Sequence, residues 1–247
     1  MTTTPAHPTP DVLEAARILN GLSTATSTVS DALDVLGLEG VLPGLGQMSG
    51  AGFVAGPAFT LQYEEASADT PGTLGDYIDD VPAGAFLVLA NGGREDCSVW
   101  GDLVSRIAVR RGAVGTVVHG ACRDLDAIRE IGYPVWARAS CARTGRNRAR
   151  LTAIGAPVTI GSLVVRPGDL ICSDASGVVR VPAEEAAAVA RKIQDVEAME
   201  ERIMAALARG MTLAEARADN GYHRVGKQLA EQGARHPSPI TEARNGR

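Results

Sequence analysis

Three side chains in this chain have the types and positions that carbonyl chemistry needs. Arg123 and Asp124 follow a β-branched run, residues 114–118, and the small residues Gly120 and Ala121. An arginine placed there can hold a carboxylate or keto oxygen through its planar donors. An aspartate there can hold a divalent cation, directly or through water. The same two residues are equally able to form an ion pair that caps the next helix. Asp102 falls in the first turn of an expected helix, where it either complements the helix dipole or adds a second carboxylate to a cation site. Residues 98–103 open that helix with free N–H groups that favour an anion. Upstream, the apolar run 86–90 ends at Asn91-Gly92-Gly93. The two glycines either let a ligand approach the backbone or make a plain turn.

Two scarcities narrow the chemistry. Lys192 and Lys227 are the only lysines, and neither sits in a stretch that reads as a pocket able to desolvate a Schiff-base amine. His7, His119, His223 and His236 never cluster, and Cys97, Cys122, Cys141 and Cys172 form no CxxC pair. A zinc site is therefore not expected. Any metal would be a hard cation held by carboxylates and water. The isolated cysteines read as reduced cytosolic thiols.

Positioning these groups is the task of residues 86–138. Apolar run, helical pattern over 99–110, apolar run 114–118, a helix after Arg123-Asp124, and a third run over 133–137 predict strand, helix, strand, helix, strand. That order implies parallel strands joined by right-handed crossovers. Ligands of such sheets sit beyond the carboxyl ends of the strands. Gly92-Gly93 and Arg123-Asp124 are both expected there, side by side. Leu103, Ile107 and Val109 or Arg110 mark the expected inner edge of the first helix.

Elsewhere the signals are weaker. An amphipathic helix is expected around Leu13–Leu19 and another from a cap at Thr28 or Ser30 to Gly37. Residues 40–52 read as glycine-rich loop, 56–63 as a strand and 74–78 as a short helix. The arginine-rich stretch 139–150 reads as an exposed loop, or as a small positive patch for an anionic substrate. Residues 157–160, 163–165, 170–172 and 178–181 are short strands between strong turn signals. Pro182 starts a long helix whose apolar stripe runs Val189, Ile193, Val196, Ile203 and Leu207. Glu200 falls on that stripe, either at its edge in water or directed at something that needs a carboxylate. Gly210 ends this helix, and a short one follows over 213–217.

At 247 residues with a formal net charge of −5, the chain can bury one generous core and has no concentrated basic block. A nucleic-acid surface is not expected. No secretory signal or membrane-spanning apolar run is visible, so a cytoplasmic protein without membrane partners is the expectation. The expected division is a flexible arm (1–12), one α/β domain (13–182), a helical extension (183–233) and a disordered tail (234–247).

The run GDLVSRIAVRRGAVGTVVHGACRDLDAIREIGYPVWAR, with GPAFTLQY before it and PGDLICSDASGVVRVP after it, resembles the RraA-like family over residues 20–217. Within that family the chain is most similar to the 4-hydroxy-4-methyl-2-oxoglutarate/4-carboxy-4-hydroxy-2-oxoadipate aldolases. The resemblance implies a swivelling β/β/α fold, trimers or hexamers, and a site at a subunit boundary. It implies Mg²⁺ or Mn²⁺ near Asp124, mostly water-coordinated, with Asp102 in its outer shell. Arg123 would contact the 2-oxo acid, and the backbone of Gly101, Asp102, Leu103 and Val104 its carboxylate. A neighbour's C-terminal helix would bring Glu200 to the metal waters. The implied reaction cleaves a 4-hydroxy-2-oxo acid to pyruvate and a second carbonyl product, with oxaloacetate decarboxylation as a companion activity. Two alternatives accompany it. One is a regulator that binds a ribonuclease, although those family members are shorter and lack the long C-terminal helix. The other is a different lyase or hydrolase on the same scaffold. One departure from the family pattern is Ala137-Arg138-Ala139-Ser140-Cys141, followed by the arginine-rich loop, where a short proline-containing turn is common. It bears on which C4 substituent is accepted.

Overall fold

The computed structural model describes residues 7–221 apart from positions 68 and 71. Helices α1 (Pro10–Asn20) and α2 (Thr26–Leu36) precede strands β1 (Val41–Leu42), β2 (Gly46–Ser49) and β3 (Val54–Glu65). A 3-10 turn, Tyr77–Asp80, leads to β4 (Phe86–Ala90), β5 (Ser98–Trp100), α3 (Asp102–Arg111), β6 (Gly115–Cys122), α4 (Leu125–Glu130) and β7 (Val135–Ser140). Then come β8 (Ala149–Ile154), β9 (Val158–Ile160), β10 (Leu163–Val165), β11 (Leu170–Asp174) and β12 (Gly177–Val181), followed by α5 (Ala186–Ala208) and α6 (Leu213–Asp219).

The main sheet runs β1-β12-β11-β3-β4-β6-β7-β2, with β5 added to β6 and β8 to β3, while β9 and β10 form a separate hairpin. Its centre, β3-β4-β6-β7, is parallel, as the strand-helix alternation predicts for β4, β6 and β7. Strands β11, β12, β8 and β2 are antiparallel additions. Alternate residues of β4 serve two cores. Leu87 and Leu89 pack with Trp100, Ile128 and Tyr133. Phe86 and Val88 pack with Trp136, Ile160 and Ile171. Burial on both faces is why this strand reads as one continuous apolar run. A third core joins α1, α2 and the first half of α5 to β11 and β12 through Leu19, Leu33, Val189, Ile193 and Leu170. The C-terminal helix is thus part of the domain's packing.

Several expectations are corrected. Residues 40–52 contain β1 and β2, edge strands that depend on pairing with β12 and β7, which local sequence does not show. The 139–150 stretch gives β7 its end and β8 its beginning, leaving a shorter loop. Leu103 is 69% exposed and Val109 48%. The inner face of α3 is instead Ser105 and Ala108, small residues that let the helix sit close, with Val104 and Ile107 beside them. Helix α1 begins at Pro10, inside the stretch expected as an arm. The tail from 234 and the end of the extension lie outside the described residues.

Helix α2 starts at Thr26, before the expected caps, and its N-cap, Ala25, has no capping side chain. The missing acceptor comes from far along the chain. Asp174 accepts from Thr26 N at 2.8 Å, Thr26 Oγ1 at 2.7 Å and Ser176 N at 2.7 Å. Burial alone pushes this carboxyl up, but the bonds from Thr26 and Ser176 outweigh it and hold its pKa below the ordinary aspartate value. A depressed folded-state pKa adds stability above the unfolded value, about 3.9, and that stability is lost as pH falls through the folded value. Asp174→Asn is expected to lower stability at neutral pH by about 1 kcal/mol, modest because the carboxylate is only partly buried. The gap from wild type should close below about pH 4. Urea midpoints from pH 3 to 7 read this; a gap independent of pH would contradict it.

Candidate active site

The site is built where β5 joins β6. Ser98 pairs with Ala121 and Trp100 with Cys122 in parallel, so the residue after β5, Gly101, lies against the residues after β6, Arg123 and Asp124. Arg123 N donates to Trp100 O at 2.9 Å and fixes this junction. Asp124 takes a left-handed backbone conformation, φ 58°, ψ 35°. Among non-glycine residues aspartate and asparagine tolerate that region best, and it recurs where function demands a particular aim.

The consequence is a carboxylate lying against the start of α3. Asp124 Oδ2 is 3.3 Å from Arg123 Nε and accepts from Asp102 N at 3.4 Å. A Cβ on Gly101 would fall 2.7 Å from the same oxygen and 3.3 Å from Arg123 Cγ. A side chain at position 101 would therefore have to displace the Asp124 carboxylate from the start of α3; the φ of Gly101, −160°, is ordinary extended backbone. The first N–H groups of α3, at 102–104, have no partner within the helix. Asp102 Oδ2 is 3.7 Å from Arg106 Nε, one turn along α3. The side chains of Arg123 and Asp124 are 41% and 37% exposed.

These groups line a cavity of ≈ 160 Å³ whose other walls include Leu74, Tyr77, Val99 and Trp100, with Ser98 and Thr144. A more open cleft of ≈ 470 Å³ adjoins it, lined by Asp102, Asp124 and Asp126 with Leu125 and Ala127. The donors facing this cleft are carboxylates, the set that suits a hard cation. Among the described residues no group of three or more His, Cys, Asp and Glu side chains could hold a metal directly. The carboxylates of Asp102 and Asp124 are of the kind that can hold a hydrated Mg²⁺ or Mn²⁺ through its waters.

Asp102, Arg123, Asp124 and the 101–104 backbone lie together along this cavity. Gly92-Gly93 does not join them. Both glycines have positive φ, and Gly93 faces His119, whose Nε2 would lie 3.3 Å from an added Cβ. The reason is that β6 extends to Cys122 and β5 lies beside its end, which separates the turn after β4 from Arg123-Asp124. Glu200 is exposed on α5, and the buried positions run Val189, Ile193, Met199, Ile203 and Ala206, not through residue 200. Helix α5 packs on α1, α2 and α6. Within one chain, Glu200 joins no metal-binding group with Asp102 or Asp124. Sequence reasoning missed the apolar wall made by Leu74, Tyr77 and Trp100; the only signal was Trp100 itself, beside the helix start.

The RraA-like family model, described as Aldolase/RraA, matches residues 26–180. The chain belongs to the RraA-like family. Protein DlpA of Legionella pneumophila is 38% identical over 199 residues, which is 80% of this chain. The chain spans about a third (32%) of that longer protein. A Halalkalibacterium halodurans protein provisionally named 4-hydroxy-4-methyl-2-oxoglutarate aldolase is 32% identical over 71% of this chain and 81% of its own length. Among solved structures, an uncharacterized protein from Pseudomonas syringae pv. tomato aligns with TM-score 0.75 at 37% identity, over 87% of this chain and all (100%) of its own. Streptomyces coelicolor RraAS2, described as an unusual member of the RNase ES inhibitor RraA family, aligns with TM-score 0.71 at 30% identity, over 79% of this chain and 97% of its own. The mixed sheet with its C-terminal helix is thus an RraA-like fold. Among the described residues no helix is long and apolar enough to cross a membrane.

Proposed function

We propose that this RraA-like chain is a divalent-metal-dependent carbon–carbon lyase that cleaves a 4-hydroxy-2-oxo acid to pyruvate and a second carbonyl product, and also decarboxylates oxaloacetate. The observation that carries the reading is the left-handed Asp124, which sets a carboxylate against Arg123 and the open start of α3 at the mouth of one small cavity. The name of the H. halodurans relative supports the same class.

In this reading the N–H groups of residues 103 and 104 bind the substrate carboxylate, Asp102 N being engaged by Asp124 Oδ2. Arg123 donates to the 2-keto oxygen, where negative charge grows as the C3–C4 bond breaks. Asp124 and Asp102 orient a water that takes the proton from the 4-hydroxyl. When bound, Mg²⁺ or Mn²⁺ in the acidic cleft supplies Lewis-acid polarisation of the keto oxygen. Lys192 lies on α5 and outside the cavity lining, in keeping with chemistry that forms no Schiff base. The exposed Glu200 is free to reach the site of another copy in a trimer or hexamer.

Pyruvate release from 4-hydroxy-2-oxo acids and from oxaloacetate, measured with Mg²⁺ and with EDTA, tests the assignment. Turnover with Mg²⁺ or Mn²⁺ and its loss in EDTA are expected. The description of RraAS2 keeps a second reading in view, a ribonuclease-binding regulator. Absence of pyruvate, together with inhibition of a purified ribonuclease, would favour it.

A further inference from the structure

The loop of residues 141–148 reaches the cavity through Thr144, and its backbone holds the strand that builds the site. Ser98 N donates to Arg143 O at 2.9 Å, and Ser98 O accepts from Gly145 N at 2.8 Å. Ser98 also pairs in parallel with Thr144. Its hydroxyl donates to Trp100 O at 2.8 Å, the carbonyl that receives Arg123 N at 2.9 Å. Ser98 thereby links the loop to the β5–β6 junction from which Arg123 and Asp124 project. The approach is close: a Cβ on Gly145 would lie 2.5 Å from Ser98 O.

The loop is anchored in turn by Arg94. Gly92 and Gly93, both at positive φ, turn the chain after β4, and Arg94 N closes the turn onto Asn91 O at 3.0 Å. Asp96 holds the guanidinium in a fork, accepting from Nε at 3.0 Å and from Nη2 at 2.9 Å. Such a bidentate pair fixes the plane of the group as well as its position. The free arm, Nη1, then donates to Arg148 O at 2.8 Å. Arg148 N donates to Gly145 O at 2.8 Å, which carries the anchor back to the residue that grips Ser98.

We infer that Arg94 is a positioning residue of the active site: through Arg148 O it holds the 141–148 loop on Ser98 and so fixes the β5–β6 junction. The turn after β4, which lies apart from Arg123 and Asp124, serves them in this way at a distance. The kinetic consequence rests on the lyase reading above; the structural one does not. A misplaced Arg123 loses most where charge grows on the keto oxygen, so the effect falls on kcat more than on KM.

Two variants of the full-length chain test the connection. Arg94→Met keeps an apolar stem and removes the donors, while Gly145→Ala pushes the loop off Ser98 and carries the test if the first variant fails to fold. Each is expected to lower kcat for pyruvate release with Mg²⁺ by about 10-fold, with KM within about 2-fold of wild type. Arg94→Lys, which keeps a donor for Arg148 O, should stay within about 3-fold of the wild-type kcat. Amide hydrogen exchange reads the geometry without any turnover. In either of the first two variants the N–H groups of Gly145 and Arg123 should exchange faster by about 10-fold, and those of Val88 and Val117 at the wild-type rate. Unchanged exchange at Gly145 and Arg123, or exchange raised equally across the sheet, would overturn the inference, as would a wild-type kcat in Arg94→Met. Absence of pyruvate from the wild type would overturn the lyase reading, and exchange would then decide the inference alone.

Discussion

Asp124→Asn is expected to lower metal-dependent pyruvate release by about 100- to 1,000-fold while leaving the fold in place. Asparagine suits the left-handed conformation at φ 58° about as well as aspartate, and it has nearly the same volume. The neighbouring contacts that hold the loop, Arg123 N to Trp100 O at 2.9 Å and Ile128 N to Asp124 O at 3.1 Å, are made by backbone atoms. Folding therefore does not need the charge. The proposed chemistry does, because an amide neither attracts a cation with its waters nor accepts a proton from them. Steady-state kinetics with saturating Mg²⁺, beside a urea midpoint, separate these effects. Wild-type turnover in the variant would remove Asp124 from the site.

The largest loss of stability is expected far from the chemistry, at Asp169. This residue is 1% exposed. Its carboxylate accepts from Arg166 N at 2.8 Å, Arg180 Nε at 2.7 Å and Ala183 N at 3.1 Å. It thereby ties the turn before β11 to β12 and to the segment entering α5. Asp169→Ala leaves the Arg180 guanidinium buried without its partner, a change that costs about 3–5 kcal/mol. Replacing both residues, as Asp169→Ala with Arg180→Leu, should recover much of that loss, since no buried charge is then stranded. Urea midpoints of the singles and the double give the coupling. A loss below about 1 kcal/mol for Asp169→Ala would mean that water or another group satisfies Arg180.

Much of the central sheet could be read directly because its signals are local. Phe86–Ala90 is apolar without interruption as it is buried on both faces, and Gly37, with φ 69°, ends α2 as a left-handed cap should. Arg123 and Asp124 stand out because polar residues follow a buried strand abruptly. What remained hidden depends on distant partners. Strand β5 exists through its pairing with the end of β6, and it moves the Gly92-Gly93 turn away from the site. The cap of α2 is Asp174, 148 residues away. The role of Gly101 appears only once the Asp124 carboxylate is seen against it. On α5 the buried face passes through Met199, because residues 199 and 200 both fit a helical stripe and packing against α6 decides between them.

Anomalous scattering from crystals grown with Mn²⁺ and a bound 2-oxo acid tests the central claim most directly. A manganese peak in the cleft of Asp102 and Asp124, joined to them through ordered waters, is expected. The 2-oxo acid should lie between Arg123 and the first turn of α3. A 2-oxo acid bound elsewhere, with no manganese beside Asp124, would contradict the account.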